Sequence, residues 1–160
     1  MSFEVVPGVS SLAAVPAAAG ISVTHRGVSA QVTLVAGHDP ESLDFSALAA
    51  APGTLVFFMG LAGLPAIVDG LVCHGVDPAT PAAVISRGTL PEQEVVTGDL
   101  ADIVGSAAGL EPPALLVIGD VVALRDTIAA GALAGTRDER LPGEQPLDAA
   151  HAPVPAALVG

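Results

Sequence analysis

The chain has 160 residues, enough for one domain with a real core, and 51% of them are apolar. Seventeen acidic residues against five basic ones give a net charge of −12, which argues against a nucleic-acid partner and against an anionic membrane surface. The single cysteine excludes an internal disulfide and a multi-thiolate metal site.

No apolar segment reaches the roughly 18 uninterrupted residues that a membrane span needs, and the N-terminus lacks the layout of a signal peptide. We therefore expect a cytoplasmic protein. Cys73 lies in an apolar helical pattern, so we expect it to be buried as a small hydrophobic residue.

The opening stretch, residues 3–11, organises the rest of the chain. A short apolar run ends at Pro7-Gly8, Ser10 and Ser11 follow, and an Ala-rich segment begins. This pattern predicts a strand, a tight turn and a helix over residues 11–19 that ends at Gly20. The free N–H groups of a first helical turn suit a polar or anionic group.

Strands and helices alternate along the rest of the chain. Apolar runs predict strands at residues 31–35, 54–58, 82–86, 93–97 and 114–118. Helices are predicted at residues 44–50, from Leu64 to Gly75, at 100–108 and, weakly patterned, at 121–130. The pattern predicts a single three-layer α/β domain, residues 1–125, with a mainly parallel or mixed sheet of about five strands. Residues 126–160 show no apolar period and are predicted to be a disordered low-complexity tail.

Three of the predicted strands end in turns that could hold a ligand. Ser10 and Ser11 follow the first strand, Met59-Gly60 the third, and Arg87-Gly88-Thr89 the fourth. In an open α/β sheet the ligand crevice lies beyond the carboxyl ends of the strands. Taken singly, each turn is also explained by ordinary turn geometry, and Met59 by a place in the core.

The familiar catalytic and nucleotide signatures are absent. The sequence has no G-x-G-x-x-G, no P-loop (it contains no lysine), no H-x-x-x-H zinc pair and no G-x-S-x-G elbow. The pair His38-Asp39 lies in a polar Gly/Pro loop and is interpreted as solvated. We expect no metal site and assign no catalytic residue.

Several phrases, in this order, resemble the C-terminal domain of the uroporphyrinogen-III methyltransferases of the tetrapyrrole methylase family. They cover about residues 3–125 and read Glu4-Val5-Val6-Pro7-Gly8-Val9-Ser10-Ser11, Ala19-Gly20-Ile21-Ser22-Val23-Thr24-His25-Arg26-Gly27, Val32-Thr33-Leu34-Val35-Ala36-Gly37-His38, Thr54-Leu55-Val56-Phe57-Phe58-Met59-Gly60, Asp77-Pro78-Ala79-Thr80-Pro81 through Arg87-Gly88-Thr89, Val95-Val96-Thr97-Gly98-Asp99-Leu100 and Gly119-Asp120-Val121-Val122.

The resemblance implies an S-adenosyl-L-methionine-dependent C-methylation of uroporphyrinogen III to precorrin-2, in sirohaem and cobalamin biosynthesis. It also implies a homodimer and a cofactor cleft between two domains. Ser10, Ser11, Met59 and Gly88 match cofactor contacts, made largely through backbone groups. The family more often has threonine at position 10.

The family's N-terminal domain, with its Gly-rich loops and proton-handling residues, has no counterpart in this sequence. We therefore expect a fragment that is inactive alone and needs an N-terminal partner domain. His25-Arg26 is the one local candidate for basic contacts to the acidic substrate. The alternative function is a non-catalytic α/β module for dimerisation or ligand binding.

Overall fold

The computed structural model describes residues 3–128, which alternate between strands and helices. The strands are β1 (Val32–Ala36), β2 (Thr54–Phe58), β3 (Pro81–Ser86), β4 (Glu94–Asp99) and β5 (Ala114–Ile118). The α-helices are α1 (Ser11–Ala18), α2 (Phe45–Ala50), α3 (Leu64–Cys73) and α4 (Ile103–Ser106), and short 3-10 helices lie at Pro40–Ser42 and Asp120–Leu124.

The five strands form one mixed sheet in the order β1-β2-β5-β3-β4. Among them β1 and β2 pair in parallel, and the pairs β2–β5, β5–β3 and β3–β4 are antiparallel. The predicted α/β fold with a mixed sheet of about five strands is therefore confirmed.

The pairing gives the two edges of the sheet different characters. Because β5 runs antiparallel to both β2 and β3, those two strands run in the same direction, as does β1. β1, β2 and β3 therefore end at one edge, which we call the carboxyl edge, and β4 and β5 begin there. The turns after β2 and β3 follow from this as neighbours in space.

Apolar side chains cover both faces of the sheet. On one face Phe57 packs with residues of α3 and α4, including Ile67 and Ile103. On the other face Val56 packs with the end of α1 and with Val121 in the second 3-10 helix. Residues 54–57 are all buried, as expected for a strand whose continuous apolar run is covered on both sides.

Two predictions of element boundaries are wrong in detail. Gly98, predicted to form the turn after the strand at residues 93–97, lies inside β4 and pairs with Ala82. The helix predicted at residues 100–108 is reduced to α4, because residues 100–102 form a turn. The weak helix predicted from residue 121 begins as the 3-10 helix, and residues 129–160, with most of the predicted tail, lie outside the described residues.

The predicted first strand is not a strand in this structure. Residues 3–10 have no regular structure, and their apolar side chains are exposed, Phe3 to 89%. The residue types suit a strand, but no described strand lies alongside to accept its hydrogen bonds.

Cys73 is exposed, which contradicts the expected burial. It is the last residue of α3, whose buried side chains are Leu64, Ile67, Val68 and Leu71. Cys73 therefore lies on the side of the helix turned away from the sheet.

Gly53 permits the tight connection from α2 into β2. Its φ is +91°, and a Cβ there would overlap Gln31 O and lie 3.0 Å from Ser29 Oγ. Gly53→Ala is expected to lower the free energy of unfolding by about 3 kcal/mol, measured by urea denaturation followed by circular dichroism.

A matched control for this change is Gly75→Ala. Gly75 also has a positive φ, +101°, but a Cβ added to it would meet nothing within 4 Å. The control should cost only the backbone strain, about 1 kcal/mol. Equal losses from both variants would show that the contact with Gln31 does not matter.

Candidate functional site

The carboxyl edge brings together segments that are far apart in the sequence. The Met59 turn (Met59-Gly60) follows β2, the Gly88 turn (Arg87-Gly88-Thr89) follows β3, and the segment 111–113 leads into β5 between them. Ser86 pairs with Ala114 and Phe58 with Leu115, so both turns flank the start of β5.

The N-terminus of α1 is held by its capping residue. The Ser10 hydroxyl accepts a hydrogen bond from Leu12 N at 3.2 Å, and Ser10 O accepts from Ala13 N and Ala14 N. Ser10 has extended backbone angles, as an N-cap residue should. The cap fixes where Ser11 and the first N–H groups of α1 lie.

The Gly88 turn packs directly on α1. A Cβ at Gly88 would lie 2.8 Å from Val15 Cγ2 and still closer to Val15 Cγ1. Non-bonded carbon atoms do not approach one another this closely, so a side chain at this position would force the turn or Val15 to move. Ser11 and Val15 are four residues apart and therefore share the face of α1 that meets the turn.

The Gly88 turn is also strained and tethered. Arg87 and Thr89 have φ values of 49° and 73°, in the left-handed region that residues with a side chain seldom occupy. Arg87 N donates to Pro113 O at 2.8 Å, and the Arg87 guanidinium pairs with Glu111. Backbone strain of this kind persists where surrounding contacts impose it, and it is common at binding sites.

The Met59 turn shows the same strain. Met59 has a φ of 57° and its side chain is 60% exposed, so it is a surface residue and not a core residue. Gly37 N donates to Phe58 O at 2.7 Å, and a Cβ on Gly37 would lie 3.0 Å from Gly60 Cα. The turns after β1 and β2 are therefore packed backbone against backbone.

Two adjoining pockets open at this edge. The larger one has a volume of about 750 Å³ and mostly apolar walls, including Met59, Leu64, Val104, Leu110 and Pro113. Its volume falls within the range of ligand sites for molecules of drug size.

The smaller pocket has a volume of about 190 Å³, and Ser11, Val15 and Gly88 are among its lining residues. The two pockets share Phe58, Pro113 and Ala114, so they lie on either side of the start of β5.

The structure thus brings together the residues that the sequence singled out. Ser11 and Gly88 line the smaller pocket, Met59 lines the larger one, and Ser10 caps the helix that begins there. The sequence did not identify the wall formed by Leu110, Pro112 and Pro113. The double proline before β5 could have indicated this wall, because proline is rigid and has an apolar side chain.

His25-Arg26 does not belong to this group. These residues lie in the loop between α1 and β1, where Ser29 Oγ is 2.9 Å from Thr54 Oγ1 at the start of β2. Within this chain they therefore lie at the edge of the sheet opposite the two pockets. Over residues 3–128 no three His, Cys, Asp or Glu side chains are placed to share a metal ion, and no helix is long and apolar enough for a membrane span.

The sequence profile of the Tetrapyrrole (Corrin/Porphyrin) Methylases matches residues 1–104. The siroheme synthase of Thiobacillus denitrificans is 42% identical over 134 residues, which are 81% of this chain and 28% of that protein. The S-adenosyl-L-methionine-dependent uroporphyrinogen III methyltransferase of Methanosarcina barkeri is 46% identical over 135 residues, which are 80% of this chain and 53% of that protein.

A solved structure of similar fold is the uroporphyrin-III C-methyltransferase of Thermus thermophilus in complex with S-adenosyl homocysteine. It superposes with a TM-score of 0.64 at 33% identity, over 76% of this chain and 54% of that one. The chain therefore spans between about a quarter and a half of the length of these relatives.

Proposed function

Because the chain belongs to the tetrapyrrole (corrin/porphyrin) methylase family, we propose that it forms part of an S-adenosyl-L-methionine-dependent enzyme that methylates uroporphyrinogen III to precorrin-2. The observation that carries this proposal is the convergence of Ser11, Met59 and Gly88 on two adjoining pockets. The siroheme synthase relatives support a place in sirohaem synthesis.

The pockets fit the cofactor's chemistry. An adenosyl group is flat and largely apolar on its faces, and the larger pocket offers it apolar walls from Met59, Leu64 and Pro113. Met59 and Gly88 line the two pockets, and backbone groups of their strained turns are suited to hydrogen bonds with ribose hydroxyls and with the amino-acid end of the cofactor. Ser10 and Ser11 add hydroxyl groups at the start of α1.

The bound cofactor supplies an activated methyl group on a sulfonium sulfur. The residues of this chain bind the cofactor, orient it and shield one side of it from water. For an in-line displacement, orientation and exclusion of water are large contributions to the rate. Accordingly, the described residues are assigned binding and positioning roles, and none is assigned proton transfer.

A second domain would complete the cleft. Uroporphyrinogen III is an acid with many carboxylates, whereas this chain has a net charge of −12. At the carboxyl edge Arg87 is already paired with Glu111. The basic contacts to the substrate should therefore come from an N-terminal domain, in the part of the longer relatives that this chain does not match. We infer that the complete enzyme is a cytoplasmic homodimer.

One observation favours the alternative function, a non-catalytic module that docks on a partner. Phe3, Val5, Val6 and Val9 present exposed apolar side chains just before α1. Exposed apolar groups in sequence are typical of a docking segment. The same segment is consistent with the first proposal if it packs against the second domain. Binding of S-adenosylhomocysteine is therefore the observation that distinguishes the two functions.

Calorimetric titration of the purified chain with S-adenosylhomocysteine tests the proposal. We expect binding with a Kd of roughly 1 mM, about −4 kcal/mol, because only one side of the cleft is present. Met59→Ala should weaken the affinity at least about threefold, since it removes apolar wall from the larger pocket.

The matched control is Leu34→Ala, a change at another exposed apolar residue, 52% exposed, that does not line the larger pocket. Its affinity should equal that of the unaltered chain. The chain should also be tested when joined to the part of the Methanosarcina barkeri methyltransferase that it does not match. If neither form binds S-adenosylhomocysteine, the docking module is the better description.

A further inference from the structure

Gln93 links two parts of the candidate site that are far apart in the sequence. It follows the Gly88 turn, just before β4, and its side chain is half-buried. Gln93 Oε1 accepts a hydrogen bond from Thr89 N at 2.8 Å. Gln93 Nε2 donates to Ala18 O, in the last turn of α1, at 3.3 Å.

Both bonds satisfy backbone groups that have few other partners. The Thr89 N–H belongs to a residue in the left-handed region, and the Ala18 carbonyl is one of the last four of α1, which have no partner within the helix. The neighbouring carbonyl, Ala19 O, accepts from Arg125 Nε at 2.9 Å. Two side chains therefore hold the C-terminal end of α1, and of these two Gln93 also contacts the Gly88 turn.

The contacts of α1 with the Gly88 turn run along one face of the helix. Ser11, Val15 and Ala18 are spaced by four and three residues, so they lie above one another. Gly88 packs on Val15, and Gln93 bonds to Ala18. The Gly88 turn and the segment after it are therefore joined to α1 at two points, and without the Gln93 bond only the Val15 contact joins them.

We propose that Gln93 is a positioning residue for the cofactor site. This inference rests on the proposed function. By fixing α1 at Ala18, it sets the distance between Ser11 and Gly88 at the opposite end of that helix face. These two residues line the smaller pocket. Gln93 does not itself line either pocket at the carboxyl edge.

The test compares three variants by S-adenosylhomocysteine titration. Gln93→Met keeps the length of the side chain and removes both hydrogen bonds, and we expect its affinity to fall by about tenfold. Gln93→Glu keeps the acceptor for Thr89 N but cannot donate to Ala18 O, so its affinity should fall similarly. Arg125→Met is the matched control: it removes the bond to Ala19 O without touching the Gly88 turn, and its affinity should stay within about twofold.

The titrations are made well below the unfolding temperature of each variant, so that loss of folded protein does not contribute. If Gln93→Met weakens binding no more than Arg125→Met does, Gln93 only caps the helix and the proposal is wrong. The same holds if Gln93→Glu binds as well as the unaltered chain.

A second readout does not depend on binding. The Ser11 amide group lies about 10 Å along α1 from Ala18, and its NMR signal reports on its surroundings. The chemical shift of this amide should change in Gln93→Met and remain unchanged in Arg125→Met. Unchanged Ser11 signals in both variants would overturn the positioning role, whereas absence of cofactor binding together with a Ser11 shift would count only against the proposed function.

Discussion

Gly88→Ala is expected to abolish detectable S-adenosylhomocysteine binding and to lower the free energy of unfolding by about 2 kcal/mol. The added Cβ would overlap both methyl groups of Val15, so the Gly88 turn must move away from α1. That movement opens the smaller pocket, which lies between them. Denaturation followed by circular dichroism measures the stability, and calorimetry measures the binding.

Two companion variants make this result specific. Val15→Ala removes both clashing methyl groups, so the double variant should recover part of the lost stability, and the two changes should not be additive. Gly98→Ala is the matched control, because nothing lies within 4 Å of a Cβ at that glycine in β4. Additive effects of the Gly88 and Val15 changes would show that the close approach is not what glycine provides.

The second large effect is expected in catalysis. The chain alone should transfer no detectable methyl group to uroporphyrinogen III, because its cofactor pockets are open on one side and its basic residues are few. Joined to the part of the Methanosarcina barkeri methyltransferase that it does not match, it should reach an activity at least about 100-fold above the detection limit, since the reactants are then oriented and shielded.

The activity is measured as transfer of radiolabelled methyl from S-adenosylmethionine into the tetrapyrrole. The joined protein carrying Gly88→Ala is the control and should lose most of the gain. Rapid turnover by the purified 160-residue chain would contradict the expectation, because it would mean that the chain holds a complete active site.

Much of the fold follows from local patterns. The run at residues 54–58 correctly indicates a strand that is buried on both faces, and residues 54–57 of that strand are buried. Asp44 is a plausible N-cap from its sequence position alone, and its carboxylate does accept a hydrogen bond from Ala47 N at 3.0 Å. These features depend on neighbours in sequence, so the sequence contains the information directly.

The order of the strands is not local information. Nothing in the run at residues 114–118 states that it lies between β2 and β3, or that it is antiparallel to both. The sequence indicates that three turns could hold a ligand, whereas their meeting at one edge depends on this pairing. The roles of Val15 and Gln93 escape sequence reasoning for the same reason, because their partners lie about 75 residues away in the chain.

The errors have a common physical origin. Phe3, Val5 and Val6 have the residue types of a strand, but a strand exists only where another strand accepts its hydrogen bonds. Cys73 lies in an apolar segment, yet the burial of a residue in α3 depends on which face meets the sheet. Residue type gives a preference, and the surroundings decide the outcome.

The central place of β5 has a consequence for how the chain folds. β1 with β2, and β3 with β4, can pair as soon as each pair has been synthesised, but only β5 joins the two halves of this sheet. A ribosome must therefore release residues up to about 118 before the sheet can close, and until then two unpaired strand edges are exposed to other chains. Ending the chain a few residues before Ala114 would leave two separate pairs of strands, and slow translation of the segment that contains β5 would prolong the period in which aggregation competes with folding.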